Sequence, residues 1–454
     1  MIERVERIEL RAERLHRITA ALKAGEVDRL TALLEEVHPG EIADLLESLP
    51  RAERELVWAS FDAEELGDVL AYADDAVRAP QILDMAAEDL AAVACDLDAD
   101  DAVDILQDLP EDRAEEVLRS MDAQHRARIE QVLAYPEDCA GGLMDIDAVT
   151  VRPDVSLDGV LRYLRERGAI PRRTNRLMVV DRDNRYLGTL RVADLLVLDP
   201  ATGVADCMDP EALAIPAVTP ASEVAHIFEQ FDLLTAPVVD GDGRLIGRIT
   251  VDDVVDVIRE ESEQPLLSLA GLEGGEDMFA PVWVTARRRA LWLGVNLATA
   301  LLASWVIGLF AATIQTVVAL AVLMPVVASM GGIAGSQALT VVVRGIALGQ
   351  VNPHNAWPLL SRELKVGLLN SLLWALVVGG VAYLWFADAA LGAIVGIALV
   401  ANVVVAAIAG AVIPMGLRVL GIDAALAGGV ILTTVTDVVG FVAFLGLGTL
   451  VLMG

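Results

Sequence analysis

"ALWLGVNLATALLASWVIGLFAATIQTVVALAVLMPVVASMGGIAGSQALTVVV", residues 290–343, runs for 54 positions without a charged side chain. A bilayer is crossed by roughly 20 apolar residues, so the stretch is too long for one span and fits two, joined by a tight turn near Gly308 to Gln315. Three more charge-free runs follow: Val366 to Ala387, Ala389 to Leu417, and Ala424 to Gly454, the last interrupted only by Asp437. The pattern predicts five transmembrane helices, at about 289–310, 315–345, 362–386, 389–416 and 424–453. Soluble core helices are the alternative, but they are seldom this long and this uniformly apolar.

Outward from these runs the charge pattern sets the orientation. Arg287, Arg288 and Arg289 precede the first span, Arg344, Arg362 and Lys365 lie between the second and third, and Arg418 lies between the fourth and fifth. Basic residues are retained on the cytoplasmic side of a membrane, so the N-terminal part is expected to be cytoplasmic and the C-terminus outside, in a plasma (inner) membrane. The first 286 residues carry 62 acidic and 27 basic side chains, a net −35, and the remainder is +3. Such acidity argues against nucleic acid or an anionic membrane surface as partner and favours cations or basic surfaces. Plain solubility of the cytoplasmic part is the competing explanation. Cys95, Cys139 and Cys207 are scattered, without CxxC or Cys/His spacing, and predict a reducing cytoplasm and no zinc site. The N-terminus, MIERVERIELRAERLHR, lacks an apolar h-region, so no cleavable signal peptide is expected.

Two features of the apolar half are chemically loaded. Asp437, in LTTVTDVVGFVAF (432–444), is the only ionisable side chain between Ala424 and Gly454. A carboxylate at that depth costs about 3 kcal/mol or more to insert and marks a functional site by default. It is read as the anionic group of a polar pathway, against a role in capping or pairing with another helix. The second span holds Pro325 and the run Gly331, Gly332, Ile333, Ala334, Gly335, Ser336, Gln337. Gly331 and Gly335 form a GxxxG that permits either close helix packing or a local unwinding that frees carbonyl oxygens. Gly331, Gly332, Gly335, Gln337, Thr433 and Thr434 are accordingly the candidate pore-lining residues.

The cytoplasmic part repeats itself. LMVVDRDNRYLGTLRVADLL (177–196) returns as APVVDGDGRLIGRITVDDVV (236–255) at an offset of 59, each reading as strand, turn, strand and helix, with a further helix before it. The doubled α/β pattern resembles a tandem CBS-domain pair. In the second copy Gly247, Thr250 and Asp253 match the nucleotide signature of such domains, so Thr250 and Asp253 are candidates for an adenosine nucleotide such as ATP. In the first copy Arg191 stands where the hydroxyl belongs, which argues against a nucleotide there. Upstream, IADLLESLP (42–50) returns as AVDILQDLP (102–110), and short apolar segments alternate with Asp-rich breaks. Segments too short to stand alone bury their faces by stacking, which predicts a small α-helical superhelix. After the second repeat an acidic helix leads toward the first span.

The order of these parts resembles the MgtE magnesium-channel family, through AYPEDCAGGLM (134–144), the CBS repeats, FAPVW (279–283), MGGIAGSQALTVVVRGIALGQ (330–350) and TDVVGF (436–441). The resemblance spans essentially the whole chain. It implies a multidomain membrane protein: an acidic helical N domain over 1–138, tandem CBS domains over 139–258, a connecting (plug) helix over 259–286 and a five-helix transmembrane domain over 287–454. It implies no enzyme but a homodimer whose Mg²⁺ pore closes when Mg²⁺ binds the cytoplasmic acids. Residue by residue it places the pore carboxylate at Asp437 and gating metal ligands at Asp253, Asp256, Glu261 and Asp232, with Asp100 and Asp104 as partners from the N domain. Two departures stand out: Gln264 and Pro265 where members often have Glu-Asp, and Ile333 where many have Asn.

Mg²⁺ demands octahedral oxygen coordination and keeps much of its water, so a few carboxylates in a wide, wet pore suit it. No His, Cys or Met cluster lines the spans, which argues against sites for Zn²⁺ or Cu⁺. The competing class is a nucleotide-regulated CBS transporter of another divalent cation or solute. The lack of an intramembrane base counts against an anion, and the five histidines show no nucleophile–base spacing that would suggest an enzyme.

Overall fold

A computed structural model describes residues 17–24, 26–35, 37–61, 63–269, 272, 277–352 and 354–453. The charged N-terminal stretch before Arg17 and parts of the predicted connecting segment, at 270–271 and 273–276, lie outside the described residues. Two compact units emerge, Met1–Glu260 with Gly275–Ala280, and Glu261–Gly274 with Pro281–Gly454.

In the first unit, among the described residues, nine short helices run from Val27–Leu34 to Ala123–Leu133. None would be stable alone in water, where helices below ~12–15 residues are marginal. Each is held by an apolar face: Leu46, Leu70, Ile82, Leu90, Ile105 and Leu106 are fully buried in one continuous core. The internal repeat folds twice alike. Pro39–Glu47 ends so that Pro50 opens Arg51–Trp58, and Ala99–Gln107 ends so that Pro110 opens Glu111–Ser120. In both, proline enters where its missing N–H costs nothing. A buried ion pair ties a distant segment to these helices. Arg54, 5% exposed, donates to both carboxylate oxygens of Asp277 at 2.6 and 2.7 Å, and its guanidinium lies 5.9 Å from the Phe279 ring centroid.

The two CBS copies are three-stranded sheets of the same topology, a short parallel strand followed by an antiparallel pair. The offset of 59 carries Arg176–Val180 onto Thr235–Val239 and Tyr186–Arg191 onto Leu245–Thr250, and even the bulge recurs, at Val179/Val180 and Val238/Val239. The AYPEDCAGGLM segment is pinned to the turn just beyond the second copy's first strand, Ile215–Pro216: Ala140 N donates to Thr219 O and Gly141 N to Ala217 O, each at 2.8 Å. A Cβ on Gly142 would meet Glu137 backbone atoms at 2.8 Å, so the turn needs glycine.

Among its described residues the second unit contains five helices long and apolar enough to cross a membrane: Val282–Gly308, Val318–Ala347, Ala356–Phe386, Ala389–Val419 and Ala424–Leu452. Three expectations are corrected. The turn expected near Gly308 to Gln315 contains a short helix, Ala311–Thr316, and the first and third helices begin earlier than predicted, because their charged N-terminal turns extend the helix beyond the apolar run. The second span does not unwind at its glycines; it is helical through Pro325 and Gly335. Helix Val251–Leu269 likewise starts directly after the last CBS strand and runs through Pro265. The fourth span is the hub, with 61% of its apolar window buried against 11% for the first. It meets the third backbone to backbone, where a Cβ on Gly379 would lie 2.8 Å from Gly392 O. Small residues at such crossings are what membrane helices use in place of a hydrophobic drive.

Candidate functional site

Four acids occur after Arg287, and the structure separates one from the rest. Asp388 caps the fourth span, accepting from Ala390 N at 2.8 Å and Leu391 N at 3.2 Å. Asp423 caps the fifth, accepting from Ala425 N at 2.7 Å and Leu426 N at 3.3 Å. Glu363 lies 3.2 Å from Arg362. Asp437, half-buried within the fifth span, makes no hydrogen bond or ion pair among the described residues. An apolar helix that carries an unpaired carboxylate needs a compensating cation or water, because lipid supplies neither.

The glycine run of the second span divides into two faces. Gly331 abuts the carboxamide of Asn402 on the fourth span, and Gly335 abuts Leu432 on the fifth. Gly440, three residues beyond Asp437, abuts the same Asn402, and a Cβ there would lie 2.6 Å from Nδ2. Gly331 and Gly335, expected to line a pathway, are thus helix-packing positions, since their missing side chains make room for Asn402 and Leu432. Gly332, with open space beside it, and the exposed Ser336 and Gln337 form the other face. On the fifth span Thr433 is exposed and Thr434 half-buried, and their hydroxyls donate to Gly429 O at 2.9 Å and Val430 O at 2.8 Å, leaving oxygen lone pairs free to accept.

Asn402 was missed from the sequence because one amide in a long apolar run looks like a tolerated polar residue. It is fully buried, donates to Val327 O at 2.9 Å, and leaves Oδ1 without a partner. Gly331→Leu would displace that amide; overpacking of this kind costs ~1–3 kcal/mol or more. The expected result is a drop of several degrees in the detergent-solubilised melting temperature, while Gly332→Leu leaves it unchanged; equal shifts for both would refute the two-face assignment.

In the first unit a cluster of carboxylates gathers where two helix N-termini converge. Helix Ala99–Gln107 carries Asp100 and Asp101 in its first turn, and Val251–Leu269 carries Asp252 and Asp253. Asp253 accepts from Thr250 N at 3.1 Å and from Thr250 Oγ1 at 3.0 Å, and Asp252 also accepts from that hydroxyl and pairs with Arg173. Burial, with Asp252 alongside, pushes the Asp253 carboxyl up to about 8. Burial, with Asp98 and Asp252 alongside, lifts Asp101 to about 7, and burial raises Asp104 to about 7 against the opposing field of Arg78. Asp100 rises well above the carboxylate range through burial and the fields of Asp253 and Asp101, and its Oδ1 is buried without a partner. Asp256 rises by burial, opposed by Arg259. An all-oxygen set of crowded carboxylates with an orphaned oxygen fits a hard divalent cation.

Asp100, Asp253 and, through the shared neighbour Asp101, Asp104 belong to this cluster. Asp232 is differently placed, exposed with φ +50° as the left-handed C-cap of Ala221–Phe231, and Glu261 is exposed further along the Val251–Leu269 helix. Asp98, Asp101 and Asp252 were missed; the signals were the Asp-rich break LDADDAVD (97–104) for the first two and the Asp pair of VDDVV (251–255) for the third, which read equally as solvated surface. In the first CBS copy Arg191 forms a bidentate pair with Asp194, at 3.0 and 3.1 Å, filling the place that Thr250 and Asp253 occupy in the second.

Comparison with known proteins follows the same division. The family descriptions "MgtE intracellular N domain", "CBS domain" and "Divalent cation transporter" match residues 37–138, 140–199 with 204–260, and 324–447. The chain is 31% identical to "Magnesium transporter MgtE" of Thermus thermophilus, over 95% of this chain and 97% of that one. The Bacillus subtilis protein of the same name is 28% identical, over 96% and 97%. Among solved structures, the cytosolic domain of the Mg²⁺ channel MgtE in complex with ATP matches with a TM-score of 0.50 and 33% identity, covering 54% of this chain and 99% of that one.

Proposed function

Because the chain belongs to the MgtE family of magnesium transporters, we propose that its membrane half conducts Mg²⁺ into the cell and that its cytoplasmic acids close the pathway when internal Mg²⁺ is high. The observation that carries the first half is Asp437, the one acid within the membrane-spanning helices left without a partner among the described residues. Its carboxylate, with hydroxyl oxygens of Thr433 and Thr434 on the same helix, would meet a hydrated ion through its water shell, as Mg²⁺ prefers. A homodimer would supply two such carboxylates about a two-fold axis and match the charge of one dication. The work is transport rather than catalysis, in the plasma membrane, with the N-terminal domains cytoplasmic and the C-terminus outside.

The gating half rests on the carboxylate cluster. Asp100, Asp101 and Asp253 repel one another when ionised, and Mg²⁺ among them would stabilise the helices that hold them; its loss would weaken that arrangement. Asp104, Asp256, Asp232 and Glu261 are further acids of the same cytoplasmic system, and helix Val251–Leu269 leads in chain order toward the first span. ATP is proposed as a second input at Thr250 and Asp253 alone, since Arg191 and Asp194 fill the equivalent place in the first copy. There the threonine hydroxyl and the carboxylate present polar groups suited to a ribose, and Arg173 supplies a cation beside them.

The test is Mg²⁺ flux into proteoliposomes containing the whole chain, with lumenal or bath Mg²⁺ varied on the cytoplasmic face. Uptake that falls as cytoplasmic-side Mg²⁺ rises supports both halves; flux that ignores it removes the gate, and no flux in either condition removes the channel.

A further inference from the structure

We propose that Cys95, Asp122 and His125 form a binding site for a borderline-soft divalent transition metal of the Zn²⁺ class, distinct from the oxygen-only carboxylate cluster. Scattered cysteines give no metal spacing in the sequence, and the fold supplies it. Cys95 stands in the last turn of helix Ala87–Asp96, and Asp122 is the N-cap of Ala123–Leu133, whose first turn carries His125. One ligand atom from each of the three lies within 4.8 Å of the others. Bonds of about 2.3 Å to sulfur and about 2.0–2.1 Å to nitrogen and oxygen separate tetrahedral ligands by roughly 3.3–3.6 Å, so small side-chain rotations bring the three into place.

The carboxylate is prepared for this role. Asp122 Oδ1 accepts from Gln124 N at 2.8 Å and His125 N at 3.2 Å, which fixes the carboxylate and turns Oδ2 toward the His125 ring, 2.5 Å from Nδ1. Asp122 and His125 are exposed enough for an ion to enter, and a fourth position is open to water. Thiolate and imidazole are poor ligands for Mg²⁺ and good ones for Zn²⁺ or Co²⁺, so the donor set discriminates against the ion proposed to move through this protein. Binding would convert the Cys95 thiol to thiolate with release of its proton, and would cross-link the two helices.

Co²⁺ is the probe, added to the full-length protein in detergent with a large excess of Mg²⁺. The expected result is a thiolate-to-Co²⁺ charge-transfer band in the near ultraviolet, abolished in Cys95→Ser and requiring at least about tenfold more Co²⁺ in His125→Ala. No thiolate band in the wild type, displacement by Mg²⁺, or an undiminished band in Cys95→Ser overturns the proposal. Should Cys95→Ser fail to fold, alkylation followed peptide by peptide decides. Zn²⁺ is expected to protect Cys95 in the wild type and not in His125→Ala; equal protection in both overturns it.

Discussion

Asp437→Ala is expected to abolish Mg²⁺ flux while leaving the protein folded and monodisperse. The size of the effect follows from elementary electrostatics. A dication held through a water about 5 Å from one carboxylate is attracted by ~2 kcal/mol if screened as in bulk water and by ~7 kcal/mol at an effective dielectric of about 20. Even the lower value is more than tenfold in occupancy of the pathway, since about 1.4 kcal/mol is a factor of ten, and the proposed homodimer loses two charges rather than one. Asp437→Asn separates charge from shape: it keeps the volume and a hydrogen-bonding oxygen, and is expected to lose flux nearly as completely as alanine. Flux measured as Mg²⁺ entry into proteoliposomes at matched protein content decides. Undiminished flux in both variants would make Asp437 a structural group and move the search to Gly332, Ser336 and Gln337.

The same residue shows what a sequence yields and where it stops. Asp437 stood out because insertion of a charge into an apolar helix is costly whatever surrounds it, an argument that needs no neighbours. The CBS strands were legible for a similar reason: an offset of 59 repeated not only the alternation but the bulge, because register in a sheet is set by local pattern. The faces of the second span were not legible. Gly331 and Gly332 are adjacent and chemically identical, and only the position of Asn402, some 70 residues on, makes one a contact and the other a surface. Asp98, Asp101 and Asp252 escaped for the same cause, since an acid in an Asp-rich turn looks solvated until a second acidic helix terminus is found against it. Cys95 and His125, on helices 30 residues apart, meet only through the stacking of the repeat domain.

Neutralising the carboxylate cluster is expected to remove the proposed Mg²⁺-dependent closure and to flatten the response of the cytoplasmic half to pH. In the Mg²⁺-free protein the raised groups include Asp253, at about 8, and Asp101 and Asp104, at about 7, all chiefly through burial, with Asp100 and Asp256 raised as well. A carboxyl raised in the folded state binds its proton more tightly there than in the unfolded chain, where it titrates near 4. Between about pH 4 and pH 8 the folded form therefore holds more protons, and stability falls as pH rises through that window. Lowering the pH from 8 to about 5.5 should raise the melting temperature of this half by roughly 5–10 °C and slow hydrogen exchange in segments 99–107 and 251–260. Saturating Mg²⁺ should do the same at pH 8, because a dication relieves the repulsion that protons relieve at lower pH, and should leave little further gain on acidification. The triple variant Asp100→Asn, Asp101→Asn, Asp253→Asn is expected to be more stable than the wild type at pH 8 without Mg²⁺, to keep only the smaller pH response of Asp104, to be insensitive to Mg²⁺, and to conduct without closing at high internal Mg²⁺. A variant that still closed normally would show that the cluster is a structural liability and that the sensor lies among the other acids, Asp256, Glu261 and Asp232 foremost. A pH response in the triple variant as large as that of the wild type would instead place the raised carboxyls elsewhere, because burial, with the neighbouring acids second, is what lifts Asp101 and Asp253.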